Sequence, residues 1–65
     1  MNHAVLRLPD VQKLTGLSRS SVYRLEASGD FPQRVRLSER ATAWKLDELT
    51  AWLESRPRVK SRQAA

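Results

Sequence analysis

Only two glycines occur among the 65 residues, and each stands behind a short amphipathic segment. Glycine adopts the left-handed backbone conformation at little cost, so it ends helices and turns the chain sharply. Gly16 closes a first predicted helix over about Pro9–Thr15. Pro9 suits its first helical position, where the missing N–H has no intrahelical partner. Asp10 places a negative charge in the first turn, as the helix dipole favours. Val11 and Leu14, three apart, are expected to face inward. Ser18 is a good N-cap for a second helix, and Leu17 with Val22 has the spacing of a hydrophobic staple. At 100° per residue, Ser21, Val22 and Leu25 form one face of this helix; Arg19, Ser20, Tyr23, Arg24 and Ala27 form the other. Gly29 ends it. Two short helices with a tight corner between them are the outline of a helix-turn-helix, which lays its second helix in the major groove of DNA.

Beyond Gly29, Phe31 is expected to plug the corner, and the period changes to two. Val35 and Leu37 point one way, Arg34 and Arg36 the other. Thr42, Trp44 and Leu46 alternate with Ala43 and Lys45. The short polar link Ser38-Glu39-Arg40-Ala41 lets the two runs pair as a hairpin, although it lacks a strong turn dipeptide such as Asn-Gly. A last helix is expected from an N-cap at Asp47 to Ser55 or Arg56, just ahead of Pro57. Leu46, Leu49, Trp52 and Leu53 give it an inward stripe. Val5, Leu6 and Leu8 are apolar enough to pack on the core from an extended lead-in. The predicted class is mainly α with a small β-hairpin: a winged helix-turn-helix of three short helices and a two-stranded wing. It spans residues 1–56, followed by a basic tail over 57–65 that is expected to be disordered.

A chain of this size forms one domain and buries only about 60% of its unfolded surface, so its stability is marginal. It has no cysteine and a single histidine, His3, which excludes disulfides, thiolate ligands and a zinc site of its own. The core must therefore be a compact apolar cluster, and Trp44 and Trp52 fall on inward faces as its filling rather than as a stacking platform for single strands. No apolar run approaches a membrane span and no signal-peptide pattern opens the chain, so a soluble cytoplasmic protein without membrane contact is expected.

The formal net charge is +5, unevenly spread. Residues 1–45 carry +4, residues 46–55 carry −3 through Asp47, Glu48 and Glu54, and residues 56–65 carry +4. A basic front presented to a polyanion fits this distribution; charge kept for solubility fits it too.

The run Leu14-Thr15-Gly16-Leu17-Ser18-Arg19-Ser20-Ser21-Val22-Tyr23-Arg24-Leu25, then Gly29-Asp30-Phe31-Pro32 and Arg40 to Trp44, resembles the AlpA family of small prophage regulators. These look like compact relatives of MerR-type winged-helix domains and of phage excisionases. The resemblance covers roughly residues 5–56 and rests on a combination: the Gly-Leu-Ser-Arg-Ser corner, the Phe-Pro after helix two, and the Trp after the wing. It implies a DNA-binding transcriptional regulator of a prophage or mobile element, associated with the nucleoid. An excisionase-type DNA-bending protein is the alternative.

The candidate contacts to double-stranded DNA are Ser18, Arg19, Ser20, Tyr23, Arg24, Arg34, Arg36 and Arg40. Arg19 opens helix two, where a guanidinium can bond guanine O6 and N7 together; a phosphate contact is its plainer role. Ser20 reaches a base edge or a phosphate. Tyr23 meets a phosphate or a thymine methyl, or is partly buried over the corner. Arg24 suits a phosphate, which sets register without reading sequence. Arg34, Arg36 and Arg40 belong to the wing, and Arg40 near its tip suits a narrow minor groove. Arg36 equally serves to keep the sheet edge charged. Lys13 suits the DNA backbone or plain solvent, and the tail bases Arg58, Lys60 and Arg62 add phosphate affinity or solubility.

Enzyme chemistry is not expected: the chain lacks a catalytic constellation, a phosphate-cradling glycine loop and a cofactor motif. Asp47 and Glu48 point about 100° apart on a helix and make no acid–base pair. A third reading is a protein-interaction module whose acidic last helix docks RNA polymerase or an integrase. A single small module makes few contacts, so cooperative or tandem self-association on DNA is expected.

Overall fold

The computed structural model describes residues 4–59. His3, Lys60 and Arg62 lie outside that range. The elements run β1 (Val5–Leu6), α1 (Leu8–Thr15), α2 (Arg19–Ala27), β2 (Val35–Ser38), β3 (Ala41–Lys45) and α3 (Leu46–Glu54). This is the expected class, three helices with a small antiparallel wing, and the sheet gains a third strand. Its order is β1-β3-β2, so the lead-in pairs with the far side of the hairpin. Val5 stands opposite Lys45 and Leu6 opposite Trp44. Val35 stands opposite Ala43 and Arg36 opposite Thr42.

Helix α1 starts one residue earlier than predicted, at Leu8, and Pro9 sits in its first turn. The N–H groups of Asp10 and Val11 both bond the Arg7 carbonyl at 3.0 Å. Gly16 closes the helix with φ 76°, its N–H bonding the Gln12 carbonyl at 2.7 Å. Val11 is fully buried, but Leu14 is 41% exposed, against expectation. On the helix wheel Leu8 and Thr15 lie on one side of Val11 and Leu14 on the other, about 60° away. The core lies towards Leu8, which packs on it.

Ser18 caps α2 as predicted, its Oγ accepting from the Ser21 N–H at 3.2 Å. At the other end the Asp30 N–H bonds the Leu25 carbonyl at 2.8 Å and the Gly29 N–H bonds the Glu26 carbonyl at 3.1 Å. With Gly29 at φ 83°, this pair of bonds is a Schellman motif. A Cβ at Gly29 would meet no atom within 4 Å, so only backbone strain opposes a side chain there. Gly29→Ala is therefore expected to cost about 1–2 kcal/mol, read as a lower midpoint in a thermal melt.

The hairpin departs from simple alternation. The register shifts between Arg36 and Ser38, and Leu37 is left 50% exposed rather than facing inward with Val35. An extra residue in one strand of a pair bends it and turns its neighbours off the alternating pattern. In β3 both Ala43 and Trp44 are fully buried. Leu46 does not extend the strand; it is the first residue of α3. Asp47 is not the N-cap either. Lys45 occupies that place without a side-chain cap, and the Leu46 N–H bonds the Ala4 carbonyl at 2.9 Å. The lead-in thus satisfies one of the N–H groups that a helix start leaves without an intrahelical partner. Asp47 and Glu48 lie in the first turn, where their charge favours the dipole. The helix ends at Glu54, just short of the predicted end at Ser55 or Arg56.

Val11, Val22, Phe31, Trp44 and Leu49 form the core, with Leu6, Leu8, Leu17, Tyr23, Leu25 and Trp52 packed around it. Phe31 meets both tryptophans edge-on, with ring centroids 6.4 Å from Trp44 and 4.7 Å from Trp52. The indole N–H of Trp44 donates to the Pro32 carbonyl at 3.0 Å, and that of Trp52 to the Asp30 carbonyl at 2.6 Å. The two indoles pin the backbone on both sides of Phe31, so the corner between α2 and the hairpin is held by aromatic packing and by directional bonds.

Candidate nucleic-acid interface

Helix α2 divides into three strips. Val22 is buried and Leu25 half-buried, while Arg19, Ser20, Arg24 and Ala27 are exposed. Tyr23 lies between the two sets. It is half-buried, its ring tilted 50° against Trp44 at a centroid distance of 6.3 Å. Of the placements expected for Tyr23, the structure shows partial burial, with one side of the ring resting on Trp44 of the core. Its wheel position, about 100° from Val22, is the edge of the buried arc.

Two guanidinium groups meet this ring. The Arg19 Cζ lies 5.8 Å and the Arg34 Cζ 5.2 Å from its centroid, within the range of cation–π attraction. Arg19 reaches Tyr23 from one turn earlier on α2; Arg34 reaches it from the segment entering β2. The structure therefore brings together Arg19, Tyr23 and Arg34.

Ser18, Ser20 and Arg24 surround the first turns of the same helix. The Oγ atoms of Ser18 and Ser20 are 3.3 Å apart, and Ser18 donates to the Ser21 Oγ at 3.0 Å. Arg24 also donates to the Ser21 Oγ, at 3.4 Å. The Ser18 hydroxyl is thus engaged in the cap. Arg36 lies on β2, and Arg40 in the two-residue turn between β2 and β3; both are exposed. Lys13 is exposed in the last turn of α1 and Arg58 is exposed beyond α3.

Sequence reasoning missed Glu26, the one buried charged residue among those described, at 6% exposure. Its carboxylate forms an ion pair with the Arg34 guanidinium and accepts the Arg34 backbone N–H at 2.8 Å. Its carbonyl accepts from the Gln33 side-chain amide at 3.0 Å. A buried carboxylate needs a partner of this kind to offset lost hydration. A signal was present: Glu26 stands four residues after Val22, about 40° round the wheel and inside the apolar arc. Tyr23, Glu26, Ala27, Gln33 and Arg34 line an open cleft of about 470 Å³ between α2 and the hairpin entry.

Among the described residues, no group of three or more His, Asp or Glu is placed to hold a metal ion, and no helix is long and apolar enough to cross a membrane. An exposed helix edge with arginine, serine and a half-buried tyrosine, beside a hairpin carrying two further arginines, offers hydrogen-bond donors and positive charge to an anionic surface.

Known proteins share this sequence pattern. Protein ORF88 of Enterobacteria phage P4, itself described as uncharacterized, is 47% identical over 51 residues. The match covers 78% of this chain and 58% of that relative, so the chain spans little more than half the relative's length. Residues 4–57 match the family described as prophage CP4-57 regulatory protein (AlpA), a regulatory rather than an enzymatic family. That match takes in every helix and strand of the fold and all of the arginines around α2 and the hairpin, and the chain belongs to the AlpA family of prophage regulatory proteins.

Proposed function

We propose that the protein binds double-stranded DNA at specific sequences and regulates transcription of a prophage or mobile-element gene. The observation that carries this reading is the exposed edge of α2, where Arg19 is steadied on Tyr23 and Ser20 and Arg24 flank it. Helix α2 enters the major groove by its N-terminal half. Arg19 reads guanine through O6 and N7; Ser20 and Tyr23 add contacts to base edges or phosphate. Ser18 completes the cap and offers its remaining contact to the backbone. Arg24 and Arg36 bind phosphates and set register, and Arg40 at the hairpin tip lies along the flanking minor groove. Association with RNA polymerase or an integrase, and tandem binding of several copies on DNA, are extensions of the same reading, as is residence on the nucleoid. The family's regulatory role and the basic front of the chain support it.

Two substitutions test it in gel-shift titrations against a selected duplex and a random-sequence duplex. Arg19→Ala is expected to cost about 1–3 kcal/mol on the selected site and to relax its sequence preference. Arg36→Ala is expected to weaken both duplexes alike and to reduce the salt slope by about one. Protein that binds neither duplex at low ionic strength, or an Arg19→Ala variant with unchanged affinity and preference, overturns the assignment.

A further inference from the structure

We propose that Glu26 is a positioning residue for recognition, one that withholds the charge of Arg34 from the DNA backbone and uses it to set Tyr23. The inference rests on the DNA-binding reading above. Arg34 looks in sequence like one more wing arginine, interchangeable with Arg36. The structure separates them. Both side chains are exposed, but only the Arg34 guanidinium is paired with a buried carboxylate, and it lies 5.2 Å from the Tyr23 ring centroid.

Each guanidinium that neutralises a phosphate adds affinity for every sequence and steepens the salt dependence by about 0.9. A guanidinium already neutralised by Glu26 adds neither. Its work is local. It holds one side of the interface at Tyr23, while the Arg34 N–H on the same carboxylate and the Gln33 amide on the Glu26 carbonyl tie the hairpin entry to the last turn of α2. One buried side chain thereby fixes the angle between the groove-reading helix and the wing, and keeps a positive charge at the interface from promoting indiscriminate binding.

The test compares Glu26→Gln, the double variant Glu26→Gln with Arg34→Gln, and the unmodified protein on a random-sequence duplex and on a selected one. Glutamine at 26 still accepts the Arg34 N–H, but its amide carries no charge to hold the guanidinium. Glu26→Gln is expected to steepen the salt slope on the random duplex by about 0.9 and to lower the ratio of selected to random affinity. The double variant removes a neutral pair and is expected to keep the unmodified protein's salt slope while still losing selectivity. A salt slope that falls by about 0.9 in the double variant shows Arg34 on a phosphate in the native complex and overturns the proposal. So does a folded Glu26→Gln protein with an unchanged slope. Where Glu26→Gln does not fold, as circular dichroism will report, the double variant's slope decides alone. Where the double variant does not fold either, the Arg34 side-chain nitrogen signals of the unmodified protein decide: they stay in place on adding duplex if the proposal holds, and shift if it is wrong. Unmodified protein that binds no duplex brings down the DNA-binding reading first and this one with it; unmodified protein that binds, with the slopes reversed, brings down only this one.

Discussion

Replacing Trp44 by alanine is expected to remove about half or more of the protein's folding stability at 25 °C. Trp44 is fully buried, the largest such side chain, and it touches the core from the middle strand of the sheet. Truncating a buried aromatic to alanine costs about 3–5 kcal/mol through lost burial and the cavity left behind. The Pro32 carbonyl also loses the indole N–H that satisfies it. The total stability of a domain this small is only about 3–10 kcal/mol. The loss is therefore a large share of the whole. Trp44→Phe keeps a ring against Phe31 and Tyr23 and gives up the hydrogen bond, so it is expected to fold with a lower melting midpoint. Circular dichroism melts of the two variants check this. A Trp44→Ala protein that melts cooperatively within a few degrees of the native one would show that the core does not depend on this side chain.

A fourfold rise in salt, from 50 to 200 mM, is expected to lower affinity for duplex DNA about a hundredfold. Four exposed arginines, Arg19, Arg24, Arg36 and Arg40, stand on α2 and the hairpin. On a random-sequence duplex, where Arg19 has no preferred guanine and Arg40 no preferred minor groove, all four meet phosphates and give a slope near −3.6 in a plot of log affinity against log salt concentration. On the role proposed for Glu26, Arg34 adds nothing to that count. Titrations at several salt concentrations on one random-sequence duplex measure the slope directly. A value near zero would mean that the basic face does not meet phosphates at all.

The elements that punctuation residues control were legible in the sequence. Gly16 and Gly29 adopt the positive φ that their places demanded, and Ser18 caps α2 through its own hydroxyl. These are local bonds, made between residues a few positions apart, so the local sequence suffices to read them. The apolar stripe of α3 was legible for a similar reason: Leu49 is buried and Leu46, Trp52 and Leu53 are half-buried at helical spacing. Wherever a partner distant in sequence intervenes, the pattern misled. Leu14 satisfies the stripe of α1 and yet is exposed, because the core lies on the Leu8 side of Val11. Leu37 fits a period of two and is turned out by the register shift in β2. Asp47 is a good capping residue that lies inside the first turn instead, because pairing of the lead-in with β3, with the Ala4 carbonyl on the Leu46 N–H, starts the helix at Leu46.

The candidate interface divides along the same line. Arg19, Ser20 and Arg24 are exposed on α2 because helix geometry alone turns them away from Val22. Glu26 and Arg34 are eight residues apart with a turn of chain between them, and no periodicity links a helix to the strand that follows it. Their pairing depends on how the corner at Phe31, with indole hydrogen bonds to the Asp30 and Pro32 carbonyls on either side, folds the hairpin back against α2. The sequence by itself determined where the helices start and stop, which family the corner belongs to, and which arginines line one edge of α2. Only the tertiary structure decided that Arg34, outside that edge, is paired with a buried carboxylate. A charge becomes available or spent according to what is packed within a few ångströms of it, and that depends on long-range closure of the chain.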